Sequence, residues 1–430
     1  MGDGRPAVTQ SLDPGRGFSV GTAVVDVFPP AGTRMAGFAA RTEPSIGVHD
    51  PVSVRALAVD KTCLITVDVC GLHETTCQEI AAALPLPAAS IAVTATHTHA
   101  GPCIMPGRLG GHDERVLAEI RSAAITAAEK AIARSTSAQL FYREATGIGV
   151  ASNRRHGERR IDPPAQLASF HGNDGTPLAW VLLYPCHPVV VGPANRLISG
   201  DYPAFSRGAL ESAAPGSTAF FLPGAAGDVN TGHSAEASYS LSQKTPRTLA
   251  EAERLGTLIA EKTLTATPRP LPTDGPAAAR QLVVDLRLEP LDDVGPEDMA
   301  AKWRSEAQAT DPGRAALLRT WMQWAQQRRA DEELSWHAPV TAFTWGPLTL
   351  IGLPGEPFLA TADEIAAGLD GIVMVTGYTN GCPGYLPAKD EYRFGGYEVL
   401  DAHRYYGMPA PFAAGSAEEL VRAAVKLASM

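Results

Sequence analysis

The sequence lacks several features that would assign a protein to a class at once. No apolar run approaches the roughly 18 residues that a membrane-spanning helix needs. Residues 1–20 are rich in glycine, proline and aspartate and lack the apolar core of a secretory signal, which predicts a cytoplasmic protein. The net charge is −10 and no basic stripe is present, so neither nucleic acid nor an anionic membrane is expected as a partner.

The common catalytic motifs are also missing. There is no Gly-x-Ser-x-Gly elbow, no Walker A loop, no Gly-x-Gly-x-x-Gly after a strand and no His-Glu-x-x-His helix. The six cysteines are scattered without Cys-x-x-Cys spacing, which favours free thiols over a disulfide framework. A site of another kind must therefore carry any chemistry.

The composition is that of a folded protein, with 45% hydrophobic and 19% charged residues in a chain of 430. Alternating strand-like and helix-like segments predict an α/β fold in which helices cover a mixed β-sheet core. We expect a loose arm over residues 1–16 and one catalytic domain over residues 17–430, with a helical insertion at about residues 291–334. The insertion is either a lid or a plain packed helical pair.

Local patterns predict individual elements. Residues 52–59 and 63–69 are apolar and β-branched, and the short polar link between them predicts a hairpin. Asp113 is a candidate N-cap for a long amphipathic helix, because apolar residues follow it at helical spacing. Residues 91–96 are predicted to form a buried strand that ends at a Gly-Pro turn.

That strand leads into the most informative stretch, Thr-His-Thr-His-Ala-Gly-Pro at residues 96–102. In an extended backbone, residues two apart point to the same side, so His97 and His99 would present two imidazoles to one cleft. Such a pair is typical of a metal site or an acid/base site. A core histidine beside a solvated one is the alternative that the motif alone leaves open.

Other polar groups follow predicted strands, where open α/β sheets place their ligand sites. They are His187, a glycine-rich loop at residues 223–230, Glu356 in a Pro-Gly-Glu turn, and a polar and aromatic patch at residues 378–387. Two or three histidines and one glutamate suit Zn²⁺, which in catalytic sites keeps a position open for water. Asp201 either orients a ligand histidine or caps the next helix.

Taken in order along the chain, these segments resemble the catalytic domain of the neutral ceramidases. The resemblance covers about residues 17–410, and its specific parts are Thr-His-Thr-His-x-Gly-Pro and Leu-Pro-Gly-Glu. Shorter segments support it: Gly47-Val48-His49-Asp50-Pro51, Arg55-Ala56, Ser152-Asn153-Arg154-Arg155, Gly227-Asp228-Val229 and residues 385–397.

The resemblance implies a set of site residues. It places the family's zinc ligands on His97, His187, Glu356 and Tyr385. It also implies an acid/base role for His99 and an oxyanion or substrate contact for Arg154. Zinc lowers the pKa of bound water from about 15.7 to about 7, which yields a nucleophile for an amide carbonyl. His99 would then protonate the leaving amine.

The chain also departs from the family pattern. The position of the family's serine is occupied by Asn230, a third catalytic candidate, which can orient a carbonyl but cannot act as a nucleophile. The chain ends soon after the catalytic-domain match and shows no export signal. We therefore expect a catalytic-domain-only relative that acts on a small soluble amide or ester, without stable membrane association. The oligomeric state, including a homo-oligomer, is left open.

The leading hypothesis is a zinc-dependent hydrolase that cleaves an amide bond through a metal-activated water. One alternative is a zinc Lewis-acid enzyme for cyclisation or acyl transfer in a biosynthetic pathway, which water exclusion by residues 291–334 would favour. A second alternative is a non-catalytic binding protein. Analysis of the reaction products would separate the first two hypotheses.

Overall fold

The structure is a computed structural model, and it describes residues 17–233, 247–273, 275–291, 294–310, 312–329 and 331–430. The loose arm predicted for residues 1–16 lies outside the described residues. The same is true of a few positions within the predicted helical insertion.

The described chain contains nineteen β-strands. The strands, in chain order, are β1 Phe18–Val27, β2 Gly47–Val48, β3 Val52–Val59, β4 Thr62–Val67, β5 Ile91–Ala95, β6 Thr136–Ala145, β7 Ser152–Asn153, β8 Ala165–Gly172, β9 Pro177–Leu183, β10 Leu197–Ile198, β11 Thr218–Leu222, β12 Val229–Asn230, β13 Arg269–Leu271, β14 Ala278–Arg287, β15 Ser335–Trp345, β16 Leu348–Gly352, β17 Glu356–Pro357, β18 Ile372–Thr376 and β19 Tyr385–Leu386.

Within the described residues the long strands form two sheets. The larger has nine strands in the order β11-β9-β8-β6-β1-β3-β4-β5, with β13 also paired to β6. The smaller has four strands in the order β14-β15-β16-β18. Pairs β4–β5, β9–β11 and β16–β18 are parallel, and the other neighbours are antiparallel, so both sheets are mixed.

Helices cover the outer faces of the two sheets. The α-helices in the described chain are α1 Glu74–Ala82, α2 Glu114–Ala133, α3 Asp201–Ala213, α4 Leu249–Thr265, α5 Pro296–Ala309, α6 Pro312–Gln326, α7 Leu359–Ala367, α8 Tyr397–Leu400 and α9 Ser416–Ala428. Helix α2 packs on β1 and β3, whereas α9 packs on β14 and β15.

Side-chain alternation along the strands explains the layers. In β11, Ala219 and Phe221 belong to the core shared with the helices, whereas Phe220 and Leu222 belong to the core between the sheets. Trp345 of the smaller sheet lies in this second core. Because successive residues of a strand point to opposite faces, one buried strand contributes to both cores.

The predicted mixed α/β fold is therefore confirmed. The structure adds that the core contains two mixed sheets packed face to face, with helices outside each of them. Helices α5 and α6 occupy most of residues 296–326 and pack on each other through Trp303, Trp321 and Trp324. Their role as an insertion or lid stays a prediction.

Two local predictions are also confirmed. Strands β3 and β4 form an antiparallel hairpin, whose turn holds Asp60 at a φ of 49°. The carboxylate of Asp113 accepts a hydrogen bond from the backbone N–H of Val116 at 3.0 Å and so caps α2. Strand β5, which leads to the histidine pair, ends at Ala95, one residue earlier than predicted.

Candidate metal centre

The candidate site lies where the ends of strands from both sheets meet. His97 and His187 follow β5 and β9 of the larger sheet, whereas Glu356 and Tyr385 lie after β16 and β18 of the smaller one. The backbone N–H of Ala95 donates to the carbonyl oxygen of Tyr378 at 3.1 Å, so the two sheets are joined directly beside the site.

Three side chains converge on one point. The Nε2 atoms of His97 and His187 lie 3.2 Å and 2.9 Å from Oε2 of Glu356. Each residue has one possible ligand atom that lies within 4.8 Å of the possible ligand atoms of the other two, and all three residues are buried. A tetrahedral zinc site with bonds of about 2.0–2.2 Å needs ligand atoms at about such spacings. The three residues can therefore hold one metal ion.

Both imidazoles are oriented by backbone carbonyls. Nδ1 of His97 donates to the carbonyl oxygen of Cys70, and Nδ1 of His187 donates to that of Ala226 at 2.6 Å. A carbonyl oxygen only accepts, so the proton of each neutral ring resides on Nδ1 and Nε2 presents a lone pair. In the neutral form of both rings, the two lone pairs would repel the carboxylate oxygen that they face, so the group favours a cation there, either a metal ion or a proton on Nε2 of His97. Metal-binding histidines show this same arrangement.

The pKa values of His97, Glu356 and His187 are consistent with a cation bound between the three side chains. Burial lowers the pKa of His97, but Glu356 and Cys70 beside it raise that pKa to about 10. Burial raises the pKa of Glu356, but the two histidines hold it well below its usual range. Burial and the nearby Arg154 lower the pKa of His187 to about 4. The centre thus stabilises a positive charge against the Glu356 carboxylate.

The histidine pair converges for a reason that differs from the predicted one. The backbone of His97 is left-handed, with a φ of 65°, and is not an extension of β5. This turn brings Nε2 of His99 to 3.3 Å from Nε2 of His97. The argument from strand alternation was therefore wrong, although the two rings do share one site. Tyr378 stacks on the His97 ring with centroids 4.1 Å apart and so fixes its plane.

His99 is held beside the three-residue group. Its Nδ1 has no hydrogen-bond partner within the described residues. Burial, together with His97 and His187, holds the pKa of His99 well below its ordinary value, so the ring is neutral. Gly37 lies directly against it, with a φ of 98°, and a Cβ at that glycine would lie 2.5 Å from Cβ of His99.

Arg154 and Tyr385 lie at the edge of the group. The Tyr385 hydroxyl is 3.5 Å from Nε2 of His187, and the two rings are nearly parallel. The Arg154 guanidinium lies over the Tyr385 ring, 5.2 Å from its centroid, and forms an ion pair with Glu398 at 2.8 Å. Both residues line a small cavity of about 30 Å³ that also contacts His99.

Asn230 lines the same cavity, but its amide is engaged by its own loop. The side-chain oxygen accepts from the backbone N–H groups of Gly232 and His233 at 2.8 Å and 3.0 Å. The side-chain nitrogen donates to the carbonyl oxygen of His233 at 2.6 Å. The observed function of this amide is to close the loop, and its catalytic role stays a prediction.

Asp201 does not orient a ligand histidine. Its carboxylate accepts from the backbone N–H groups of Val191 and Tyr202 at 2.9 Å and 2.6 Å. The second nitrogens of His97 and His187 are occupied by carbonyl oxygens instead. Of the two alternatives, the structure supports the contact at the start of α3.

Sequence reasoning missed two residues. The hydroxyl of Tyr406 donates to Oε1 of Glu356, the oxygen that does not face the histidines. The guanidinium of Arg108 lies over the Tyr406 ring, 4.4 Å from its centroid. Neither residue follows a strand, and the only signal was the aromatic pair Tyr405-Tyr406 in a polar segment.

Comparison with solved structures shows a similar fold. One similar structure is a ceramidase complexed with C2, which has a TM-score of 0.72 and 17% identity over 96% of this chain and 75% of its own. Another is the neutral ceramidase from Pseudomonas aeruginosa, with the same TM-score and identity over 96% of this chain and 74% of its own. Neither protein-family models nor curated protein sequences gave a match. The resemblance to the ceramidases is therefore confirmed at the level of the fold.

Proposed function

We propose that the chain is a zinc-dependent hydrolase that cleaves an amide bond of a small acylated substrate. The observation that carries the proposal is the convergence of His97, His187 and Glu356, with each imidazole oriented by a backbone carbonyl. The ceramidase fold supports it, because ceramidases cleave an amide bond.

The ligand set fits zinc better than a harder cation. Imidazole nitrogen with one carboxylate oxygen is a common zinc set, whereas Mg²⁺ and Ca²⁺ prefer oxygen ligands alone. Tyr385 offers a further oxygen, since its hydroxyl lies 3.5 Å from Nε2 of His187. Tyr406 would hold the carboxylate of Glu356 in place from its other oxygen.

When bound, zinc would polarise the amide carbonyl and lower the pKa of a water molecule towards neutrality. His99 is neutral, and its Nε2 faces the ligand group, so it can take up a proton there and return it to the leaving amine. Arg154 is fixed by Glu398 and lines the same cavity, so its guanidinium can stabilise negative charge on the carbonyl oxygen.

The proposal also includes the compartment, the substrate and the partners of the enzyme. We infer a cytoplasmic enzyme with a small soluble amide or ester as substrate, and without a nucleic-acid or stable membrane partner. No helix in the described chain is long and apolar enough to cross a membrane. We also propose that residues 17–430 act as one catalytic unit.

Metal analysis tests the proposal most directly. Protein purified without chelator should contain about one zinc per chain, and His97→Ala and Glu356→Ala should lose it. His337→Ala is a matched control, because this histidine is exposed and pairs with Asp285, away from the candidate ligands. Hydrolysis of acylated amines should stop on chelation and return with zinc.

Full activity after removal of the metal would contradict the proposal. Release of a cyclic product, or of an acyl-transfer product, in place of a free acid and amine would replace hydrolysis with the alternative chemistry.

A further inference from the structure

A cavity of about 400 Å³ opens beside the candidate centre. Its polar wall carries the guanidinium groups of Arg34, Arg41 and Arg108, and no aspartate or glutamate is among the described residues that line it. The small cavity over His99 shares Arg108 with it, and no carboxylate is among the described residues that line this second cavity. In a chain of net charge −10, this is a local concentration of positive charge.

Most of these guanidinium groups have structural partners. Arg41 donates to the backbone carbonyl oxygens of Ala36, His99, Gly192 and Pro193. Arg34 donates to the carbonyl oxygen of Gly110. These two arginines hold the loops that form the cavity wall.

Arg108 is different. Its polar contacts are with two sulfur atoms, Cys70 Sγ at 3.6 Å and Met105 Sδ at 3.9 Å, and its planar group lies on the ring of Tyr406. In the part of the chain that the structure describes, Arg108 forms no ion pair with a carboxylate. Both sulfur contacts are long, and neither sulfur offers a pair of oxygen acceptors, so within the described residues the planar fork of this guanidinium has no bidentate partner.

The position of Arg108 links the cavity to the reacting centre. Tyr406, on which the guanidinium rests, donates its hydroxyl to Glu356. One aromatic ring therefore separates Arg108 from the proposed metal ligands. An anionic group bound by Arg108 would lie close to a bond held at the centre.

We propose that Arg108 binds a carboxylate of the substrate, so that the chain acts on N-acyl compounds that carry a carboxylate near the amide. The planar fork of an arginine matches a carboxylate in a bidentate pair. The apolar wall, with Met35, Phe38 and Ile104, offers a surface for the remainder of the molecule. Cleavage of such a compound rests on the proposed function, whereas binding of the carboxylate does not.

Two pairs of probes test the inference. N-Benzoylglycine carries its carboxylate on the amine side of the amide, and N-benzylsuccinamic acid carries it on the acyl side; each is compared with its neutral primary amide. Calorimetry would measure binding to the zinc-loaded native chain, Arg108→Gln, Arg108→Lys and Arg115→Gln. Arg115 is a matched control, because it is exposed on α2 and pairs with Glu119.

We expect at least one acid to bind the native chain about 10- to 100-fold more tightly than its amide, the effect of a charged hydrogen-bonded pair. Arg108→Gln should abolish this preference, Arg108→Lys should retain part of it, and Arg115→Gln should leave it unchanged. No preference for either acid, or a preference that survives in Arg108→Gln, would overturn the inference.

The variant His97→Ala shows whether the metal, and not Arg108, binds the carboxylate of the probe. Binding that is lost in His97→Ala but kept in Arg108→Gln would overturn the inference. Binding that depends on Arg108 without hydrolysis of either acid would refute the proposed function and leave the inference standing. Hydrolysis of the neutral and the acidic probes at equal rates would refute the inference about Arg108 and leave the proposed function standing.

Discussion

A buried ion pair behind the histidine loop offers a quantitative test of how the site is supported. The guanidinium of Arg207, in α3, forms two hydrogen bonds with the Asp68 carboxylate, one of them 2.8 Å long. Their side chains are 3% and 2% exposed. The Thr96 hydroxyl also donates to Asp68, at 3.0 Å, directly before His97.

Removing one partner should destabilise the chain strongly. Asp68→Leu or Arg207→Met leaves an uncompensated buried charge, which costs about 3–5 kcal/mol. The double variant leaves no charge, and its cost should fall to about 1–3 kcal/mol for the unsatisfied Thr96 hydroxyl. With an unfolding entropy of about 2.1 cal/mol/K per residue, each single change should lower Tm by about 3–6 °C and the double change by about 1–3 °C.

Differential scanning calorimetry at one scan rate would measure these shifts. Glu119→Ala, which breaks the exposed pair with Arg115, is the control and should change Tm by less than about 1 °C. If the double variant lost as much as the two single variants together, the pair would not be coupled and the reasoning would be wrong. The same holds if neither single change shifted Tm beyond the control.

Two further changes probe the site itself. Gly37→Ala would place a methyl group against His99, so we expect kcat/KM to fall about 100-fold while the zinc content stays unchanged; normal activity would show that His99 need not keep this position. Tyr406→Phe removes the hydroxyl that holds Glu356, so zinc affinity, measured by chelator competition, should fall about 10- to 100-fold. Tyr392→Phe, whose hydroxyl bonds the backbone of Phe412, is the control, and an equal loss there would count against a role for Tyr406.

Much of the fold was accessible from local pattern. Hydrophobic spacing and Asp113 predicted α2, and two β-branched runs with a short polar link predicted the β3–β4 hairpin. Such elements follow from interactions between residues near one another in the sequence. The packing of the two sheets could not be predicted in this way, because Phe220 packs in a core with residues of the smaller sheet that lie more than 100 positions later in the sequence, such as Trp345.

The candidate site shows the same division. The strand-end positions of His97, His187 and Glu356 were readable, since each follows an apolar run. The left-handed backbone of His97 was not, because nothing in a Thr-His-Thr-His sequence requires a positive φ. Tyr406 was missed because the loop that carries it has no periodic pattern, and only the fold brings its hydroxyl to Glu356.

The division of the centre between two sheets also has a consequence for biosynthesis. His97 and His187 follow strands of the larger sheet, whereas Glu356 comes after β16, at the end of a separate sheet. A ribosome translates from the N-terminus, so both histidines emerge well before the carboxylate exists. The nascent chain therefore cannot complete the three-residue group until Glu356 has been synthesised, so binding of the proposed metal would be a late event in maturation.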